Sequence, residues 1–288
     1  MPDQLIGAHV STSGGVENAP ARGHDVGANC IQIFTKTPNQ WREPEISGEQ
    51  AAKFRAQLKN HSIAGVVSHD SYLINLASPD KRLRAMSMRC FKGELSRCAA
   101  LGVPYIVTHP GNYIDDRASG IERNAKAYQE CLEAVQGPDV LIETTAGSGT
   151  ALGSKFEELR DLRNLVSSEL RGRIGYCADT CHLFSAGYDL VDDWDNVWAE
   201  WDRVIDLEHL KCLHLNDSKN PFDSRKDRHE LIGEGSLGPE PFIRIMKDER
   251  FSGILKIIET PKLDDQVETD RKMLRRLKSY SRRGIEKE

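Results

Sequence analysis

Between Lys211 and His229 the chain reads KCLHLNDSKNPFDSRKDRH, and three side chains in this stretch could hold a cation. His214 sits between Leu213 and Leu215, at the end of an apolar run that reads as a strand. Asp227 and His229 are two positions apart, so on extended backbone their side chains point the same way and can grip one ion together. Imidazole and carboxylate sharing a cation is a pattern suited to activating water, provided further ligands converge from elsewhere in the chain.

Such ligands recur at the ends of the other apolar runs. His69 follows VVS, His109 follows IVT, Glu143 ends VLIE, Asp179 ends YCAD and Glu259 ends KIIE, while His182 falls in the loop after Asp179. Any one of these alone would ordinarily be a structural residue or a helix cap. Nine on one rim would be electrostatically intolerable without cations, so metal ions are the inference. Five histidines and four carboxylates with no thiolate suit zinc, or manganese at some positions, better than magnesium or calcium. Nine ligands exceed the needs of one or two ions, and three ions with one shared carboxylate fit the number. A cluster of that kind generates hydroxide and stabilises the attacking and leaving oxygens of a phosphate ester.

The elements that must position these residues alternate along the chain. Strands are expected at Leu5–Val10, Cys30–Phe34, Gly65–Ser68, Tyr105–Thr108, Val140–Glu143, Arg173–Ala178, Leu210–Leu215 and Ile254–Glu259. Helices separate them. Capping boxes are expected at Ser47–Gln50, Ser119–Glu122 and Ser154–Glu157, Ser78-Pro79 reads as a further helix start, and Gly102 as a helix end. Trp194, Trp198 and Trp201 fall on one helical stripe with Val197 and Ile205, as core packing against a sheet. Pro20 and Gly23 make the first helix the weakest. Eight units in 288 residues, 36 each, are the spacing of a single-domain (β/α)8 TIM barrel, whose site lies at the carboxyl ends of the strands. Residues 1–288 read as one domain, with a basic tail from about 271 that is expected to be a solvated last helix.

Composition bounds the rest. The net charge of −5 disfavours a polyanionic partner on its face, yet three divalent ions add +6 and leave +1 focused on the rim. There is no run of about 18 apolar residues, so no membrane span is expected. Neither an apolar signal core nor a CxxC pair appears, and seven cysteines inside apolar patterns suit reduced thiols in a cytoplasmic protein. A monomer is expected, since one chain supplies every ligand. Gly233-x-Gly235-x-x-Gly238 matches a dinucleotide fingerprint but lacks its strand–turn–helix setting, and reads as loop geometry. Cys177 and Cys181 need no ligand role, His9 reads as packing beside the ligands, and His24, His61 and His209 as surface or structural residues.

GAHVS (7–11), HDSYLINL (69–76), HPG (109–111), ETTAGSG (143–149), DTCHLFSAGYD (179–189), HLNDS (214–218), SRKDRH (224–229) and IGEGSLG (232–238) resemble the endonuclease IV family of apurinic/apyrimidinic endonucleases. The resemblance spreads over nearly the whole chain. It implies a TIM barrel with three zinc ions that acts on double-stranded DNA containing abasic sites. Cleavage would fall 5′ to the abasic sugar, leaving a 3′-hydroxyl and a 5′-deoxyribose phosphate, in base excision repair. It implies one zinc on His69, His109 and Glu143, a second on Glu143, Asp179, His214 and Glu259, and a third on His182, Asp227 and His229. DNA contacts are expected from Asn39, Gln40, Tyr72, Leu73 and Arg228. Two departures concern DNA affinity and loop shape: Asn39 stands where the family often has arginine, and Asp223 where it often has glycine.

Tyr72 and Leu73, directly after His69, are candidates for an apolar wedge that fills the gap left when a nucleotide is extruded. The alternative is that both pack under their loop. A sugar isomerase or epimerase on a similar barrel is the second functional reading, using Glu143, Asp179, His214 and Glu259 and leaving the other five ligands idle. A lesion-binding protein with a decayed site is the third, and a complete ligand set argues against it.

Overall fold

Alternation within the strands decides which residues meet at the centre. In the computed structural model, which describes residues 4–282, eight parallel strands close a barrel. They are β1 (Ile6–His9), β2 (Cys30–Phe34), β3 (Gly65–His69), β4 (Tyr105–Thr108), β5 (Asp139–Glu143), β6 (Ile174–Asp179), β7 (Leu210–His214) and, after a short antiparallel ribbon of β8 (Asp217–Ser218) and β9 (His229–Glu230), β10 (Leu255–Ile258). β10 pairs with both β7 and β1 and closes the ring. All eight expected strands form, each end within one residue of its expected place.

Both faces of these strands are buried, as a parallel sheet under helices requires. Cys30, Val67, Val107, Leu141, Cys177, Cys212, Leu255 and Ile257 form one apolar cluster that plugs the barrel. Their neighbours, such as Ile31, Ile33, Ile106, Val140, Ile142 and Leu213, face outward into the larger core beneath the helices.

The helices are α1 (Ala19–Asp25), α2 (Gly48–Asn60), α3 (Lys81–Leu101), α4 (Arg117–Ala134), α5 (Phe156–Asn164), α6 (Ser168–Arg171), α7 (Thr180–Ser185), α8 (Trp194–Ile205), α9 (Glu240–Lys247) and α10 (Gln266–Arg282). The box at α2 forms, with Ser47 Oγ accepting from Gln50 N at 3.1 Å and Gln50 Oε1 from Ser47 N at 3.2 Å. The other expected starts are displaced. Asp116 caps α4 and accepts from Ser119 N at 2.8 Å, so Ser119 lies inside the helix. Asp80, not Ser78, caps α3, accepting from Arg82 N and Leu83 N at 2.8 and 3.1 Å. α5 begins after Ser154, and Glu158 takes the amides of Gly153 and Ser154 instead. A neighbouring aspartate wins over the serine in each of the first two cases, because it adds charge at the positive end of the dipole.

Gly102 ends α3 at φ 75°, as expected. α1 is short but forms, with Pro20 in its first turn. Trp194, Trp198 and Trp201 are buried on α8. Four cations of α10 have partners: Arg276 and Lys272 face Glu234, Arg271 faces Glu268, and Lys278 donates to Gly27 O at 2.5 Å. The end of the basic tail, 283–288, lies outside the described residues. Among the described residues no helix is long and apolar enough to cross a membrane.

Candidate metal centre

The period of two that fills the barrel also builds the site. Two residues beyond seven of the eight plug residues, on the same side of the strand, stands a polar group. Val67 leads to His69, Val107 to His109, Leu141 to Glu143, Cys177 to Asp179, Cys212 to His214 and Ile257 to Glu259. The same step takes Cys30 to Gln32 and Gly7 to His9. The centre is therefore the polar layer resting on the apolar plug. His182, Asp227 and His229 approach it from the side. His182 sits on α7 rather than in a loop, because Asp179 Oδ1 accepts from His182 N at 2.8 Å and starts a helix there.

Glu143 is at the middle, with its two oxygens divided between two groups. Oε2 lies 3.2 Å from His69 Nε2 and 3.0 Å from His109 Nε2. Oε1 lies 2.8 Å from His214 Nδ1, which is also 3.2 Å from Glu259 Oε2. Across the cavity, Asp227 Oδ2 is 3.2 Å from His182 Nε2, and its Oδ1 is 3.3 Å from His229 Nε2. Three groups, each with all members within 4.8 Å of one another, contain all nine expected ligands: His69, His109 and Glu143; Glu143, Asp179, His214 and Glu259; and His182, Asp227 and His229. Two further groups join cysteines to them, Cys177 and Cys212 with His214, and Cys181 with Asp179 and His229.

Each of four imidazoles has its far nitrogen engaged, which selects the tautomer and leaves one nitrogen bare toward the cavity. His69 Nδ1–H donates to Asp70 O at 2.9 Å, His182 Nδ1–H to Thr144 O at 2.8 Å and His229 Nδ1–H to Glu259 O at 3.2 Å. His214 is reversed: its Nε2–H donates to Gln32 Oε1 at 2.7 Å and its Nδ1 faces Glu143. Gln32 Nε2 also donates to Glu259 Oε1 at 2.5 Å. Asn216 donates to Asp179 Oδ2 at 2.6 Å and accepts from Glu259 N at 2.8 Å.

Electrostatics fits these groups to cations. Burial alone would push the Glu143 carboxyl upward, but His214 and His109 hold it well below the usual range. Burial likewise opposes charge on His69, yet its bond to Glu143 lifts it to about 9. His182 and His214 are lifted against burial by Asp179 and Glu143 respectively. Asp227, despite burial, is held at about 2 by His182. Four carboxylates so close together demand positive charge, which divalent ions would supply while leaving the imidazoles neutral. His229 Nε2 makes the same point: it is buried, 3.3 and 3.6 Å from carboxylate oxygens, and has no hydrogen-bond partner. Burial keeps the nearby Cys181 thiol up at about 12, as a neutral neighbour.

A cavity of about 940 Å³ opens above the layer, walled by Ser11, Lys36, Pro38, Tyr72 and Lys262 among others. Tyr72 is 63% exposed, with its ring 5.4 Å from Phe34 and 6.0 Å from His69. Leu73 is half-buried, and Asn39 and Gln40 are exposed just beyond Pro38. Arg228 is exposed, with its guanidinium donating to the Asp227 carbonyl at 2.6 Å. His9 Nδ1 lies 3.0 Å from Gln32 Nε2 and 3.4 Å from Glu259, beside the ligands as expected. Gly235 of the glycine-rich loop donates to Asp217 at 3.0 Å, so that glycine serves loop geometry. Gln32 and Asn216 are the functional residues that spacing of ligand types alone did not reveal.

The family model of xylose isomerase-like TIM barrels matches residues 20–277. A curated relative named probable endonuclease 4, from Chloroflexus aggregans, is 47% identical over 282 residues, covering 96% of this chain and 98% of its own. The crystal structure of endonuclease IV from Thermus thermophilus superposes with a TM-score of 0.85 at 33% identity, covering 96% of this chain and 98% of that one. A D-tagatose 3-epimerase-like protein superposes with a TM-score of 0.71 at 16% identity, covering 97% and 98%, and shares the barrel.

Proposed function

This chain belongs to the endonuclease IV family of apurinic/apyrimidinic endonucleases, DNA-cleaving hydrolases, and from that premise we propose that it uses three zinc ions to hydrolyse the phosphodiester 5′ to an abasic site. The products are a 3′-hydroxyl and a 5′-deoxyribose phosphate. The observation that supports this best is the split carboxylate of Glu143, whose two oxygens face two different ligand groups, with a third group completed by Asp227.

In this reading His69, His109 and Glu143 hold one ion. Glu143, Asp179, His214 and Glu259 hold the second, and His182, Asp227 and His229 the third, with manganese able to replace zinc at some positions. When bound, such ions activate water and offset the charge of the departing oxygen. The chain's own residues set the geometry: Gln32 and three main-chain carbonyls aim the imidazoles, and Asn216 aims Asp179. Tyr72 and Leu73 wedge into the stack of a bent duplex, with Asn39, Gln40 and Arg228 alongside. All nine ligands come from one chain, so a monomer suffices. Seven free, buried cysteines suit a reducing cytoplasm. An isomerase would leave five of the nine ligands without work.

The test is a duplex carrying a single tetrahydrofuran abasic analogue, incubated without added magnesium. Nicking 5′ to the analogue, about three zinc ions per chain by elemental analysis, and near-abolition of nicking in Glu143→Gln with DNA binding kept are the expected results. Binding without nicking, or one metal or fewer after zinc-replete expression, would sink the proposal.

A further inference from the structure

Residues 35–47, between β2 and α2, form neither helix nor strand, yet they wall one side of the cavity through Lys36, Thr37 and Pro38. A loop of that length without regular structure needs something else to hold it. Here it is a buried network of charge. Arg97, on α3 and 4% exposed, reaches Glu94 Oε2 at 3.0 Å through NH2, Glu43 Oε2 at 2.7 Å through NH1 and Thr35 Oγ1 at 2.9 Å through Nε. Thr35 in turn donates to Glu94. The Lys36 ammonium lies 3.2 Å from Glu43 Oε1 and donates to Gln40 O. From the other side Ser71, one residue before Tyr72, donates to Pro38 O.

Two acids and two bases cancel in charge, so the set is neutral overall. Buried ion networks of this kind add little net stability compared with apolar packing, and their best use is to select one conformation. A glycine confirms the fit of the parts. Gly93 is in the interior of α3, where glycine is a poor helix former. A Cβ at that position would overlap Glu43 Oε2 and crowd Arg97 NH1 at 3.1 Å. The helix gives up a side chain where the loop's carboxylate docks.

We propose that Arg97 is a positioning residue for substrate: with Glu43, Glu94 and Lys36 it locks residues 35–47 as a preformed lip of the cavity, holding Asn39 and Gln40 where DNA arrives. A lip ordered beforehand has no conformational freedom left to lose on binding, so its role shows in substrate affinity and not in the chemical step. This rests on the abasic-endonuclease reading.

Two variants test it without touching a candidate ligand. Glu43→Gln removes the charge that joins loop to helix. Gly93→Ala keeps every charge, displaces the Glu43 carboxylate and crowds Arg97 NH1, while improving helix propensity. Both are expected to raise KM for abasic duplex about tenfold, the effect of losing one favourable contact, with kcat within about twofold and zinc content unchanged. Tryptic cleavage after Arg42 should quicken in both. Faster cleavage with unchanged KM, a fall in kcat or zinc instead, or no change in either readout would overturn the proposal. Failure of the unaltered chain to nick abasic duplex would instead overturn the reading beneath it, and the proteolysis arm would still decide whether the tether exists.

Discussion

Asp223 Oδ1 lies 2.7 Å from Arg225 NH2, and both residues have left-handed backbone at φ 56°. Non-glycine residues avoid that region, aspartate least of all because its carboxylate can be satisfied locally. Glycine would adopt it freely. The turn is also docked: Asp223 N donates to Phe184 O at 3.1 Å and Arg225 N to Ser185 O at 3.0 Å. Two residues after Arg225 comes Asp227, so this turn sets the height at which the third ligand group is presented.

Asp223→Gly should therefore change stability by less than about 1 kcal/mol, since relief of the left-handed backbone offsets loss of a half-exposed ion pair. Asp223→Val places a β-branched residue at the same φ and should destabilise by about 1–3 kcal/mol. Urea denaturation of the three proteins reads this directly. Equal losses in both variants would mean that the ion pair, not the backbone, holds the turn.

Gln32→Leu leaves the His214 Nε2–H buried without an acceptor and frees the ring to turn. Loss of a ligand's orienting partner typically weakens metal binding by about 10–100-fold. Zinc release to a chromogenic chelator should quicken for about one of the three proposed ions. Release kinetics identical to those of the unaltered chain would show that Gln32 does not orient the ring.

Replacing Tyr72 by Ala and Leu73 by Gly together should weaken binding to abasic duplex while zinc content stays the same. The exposed Tyr72 ring has little packing to lose. A single-stranded abasic substrate should be affected less, because it has no stack to open. Loss of zinc or of folding would instead assign both residues to the packing of their loop, to which half-buried Leu73 is the closer fit.

Lys256 makes stability depend on pH away from the centre. It is fully buried on the outer side of β10, donating to Phe251 O and to Ile254 O at 3.1 Å, and burial lowers it to about 8 from an ordinary 10.5. Between those values the unfolded chain holds the proton and the folded chain has released it, so stability rises with pH there and is flat below about 8. Lys256→Met should lack that rise. The difference between the two proteins in urea unfolding free energy should move by up to about 3 kcal/mol between about pH 7.5 and 10.5. A constant difference would show that its two carbonyl partners keep the lysine charged throughout.

The barrel was legible because most strands are short apolar runs that lead into a polar residue of ligand type. Helix starts were less so: Asp116 and Asp80 displaced Ser119 and Ser78, since a serine competes for a helix start with any aspartate nearby. The ribbon Asp217–Ser218 with His229–Glu230 is too short to have a period. Gln32 carries no ligand chemistry, yet it obeys the same two-residue step from Cys30 that takes Val67 to His69. A polar residue inside CIQIF, facing the lumen, requires a partner there. The network around Arg97 joins Thr35, Glu43 and Glu94 across α3 and a loop without regular structure, and no local pattern connects them.

The four engaged imidazoles also differ in how evolution can reach them. His69, His182 and His229 are aimed by the carbonyls of Asp70, Thr144 and Glu259, groups that every amino acid carries. No side-chain substitution at those three positions deletes the acceptor itself. His214 alone among the four depends on a side chain, that of Gln32. Of these four rings, His214 is therefore the one whose orienting partner a single substitution at a neighbouring position deletes.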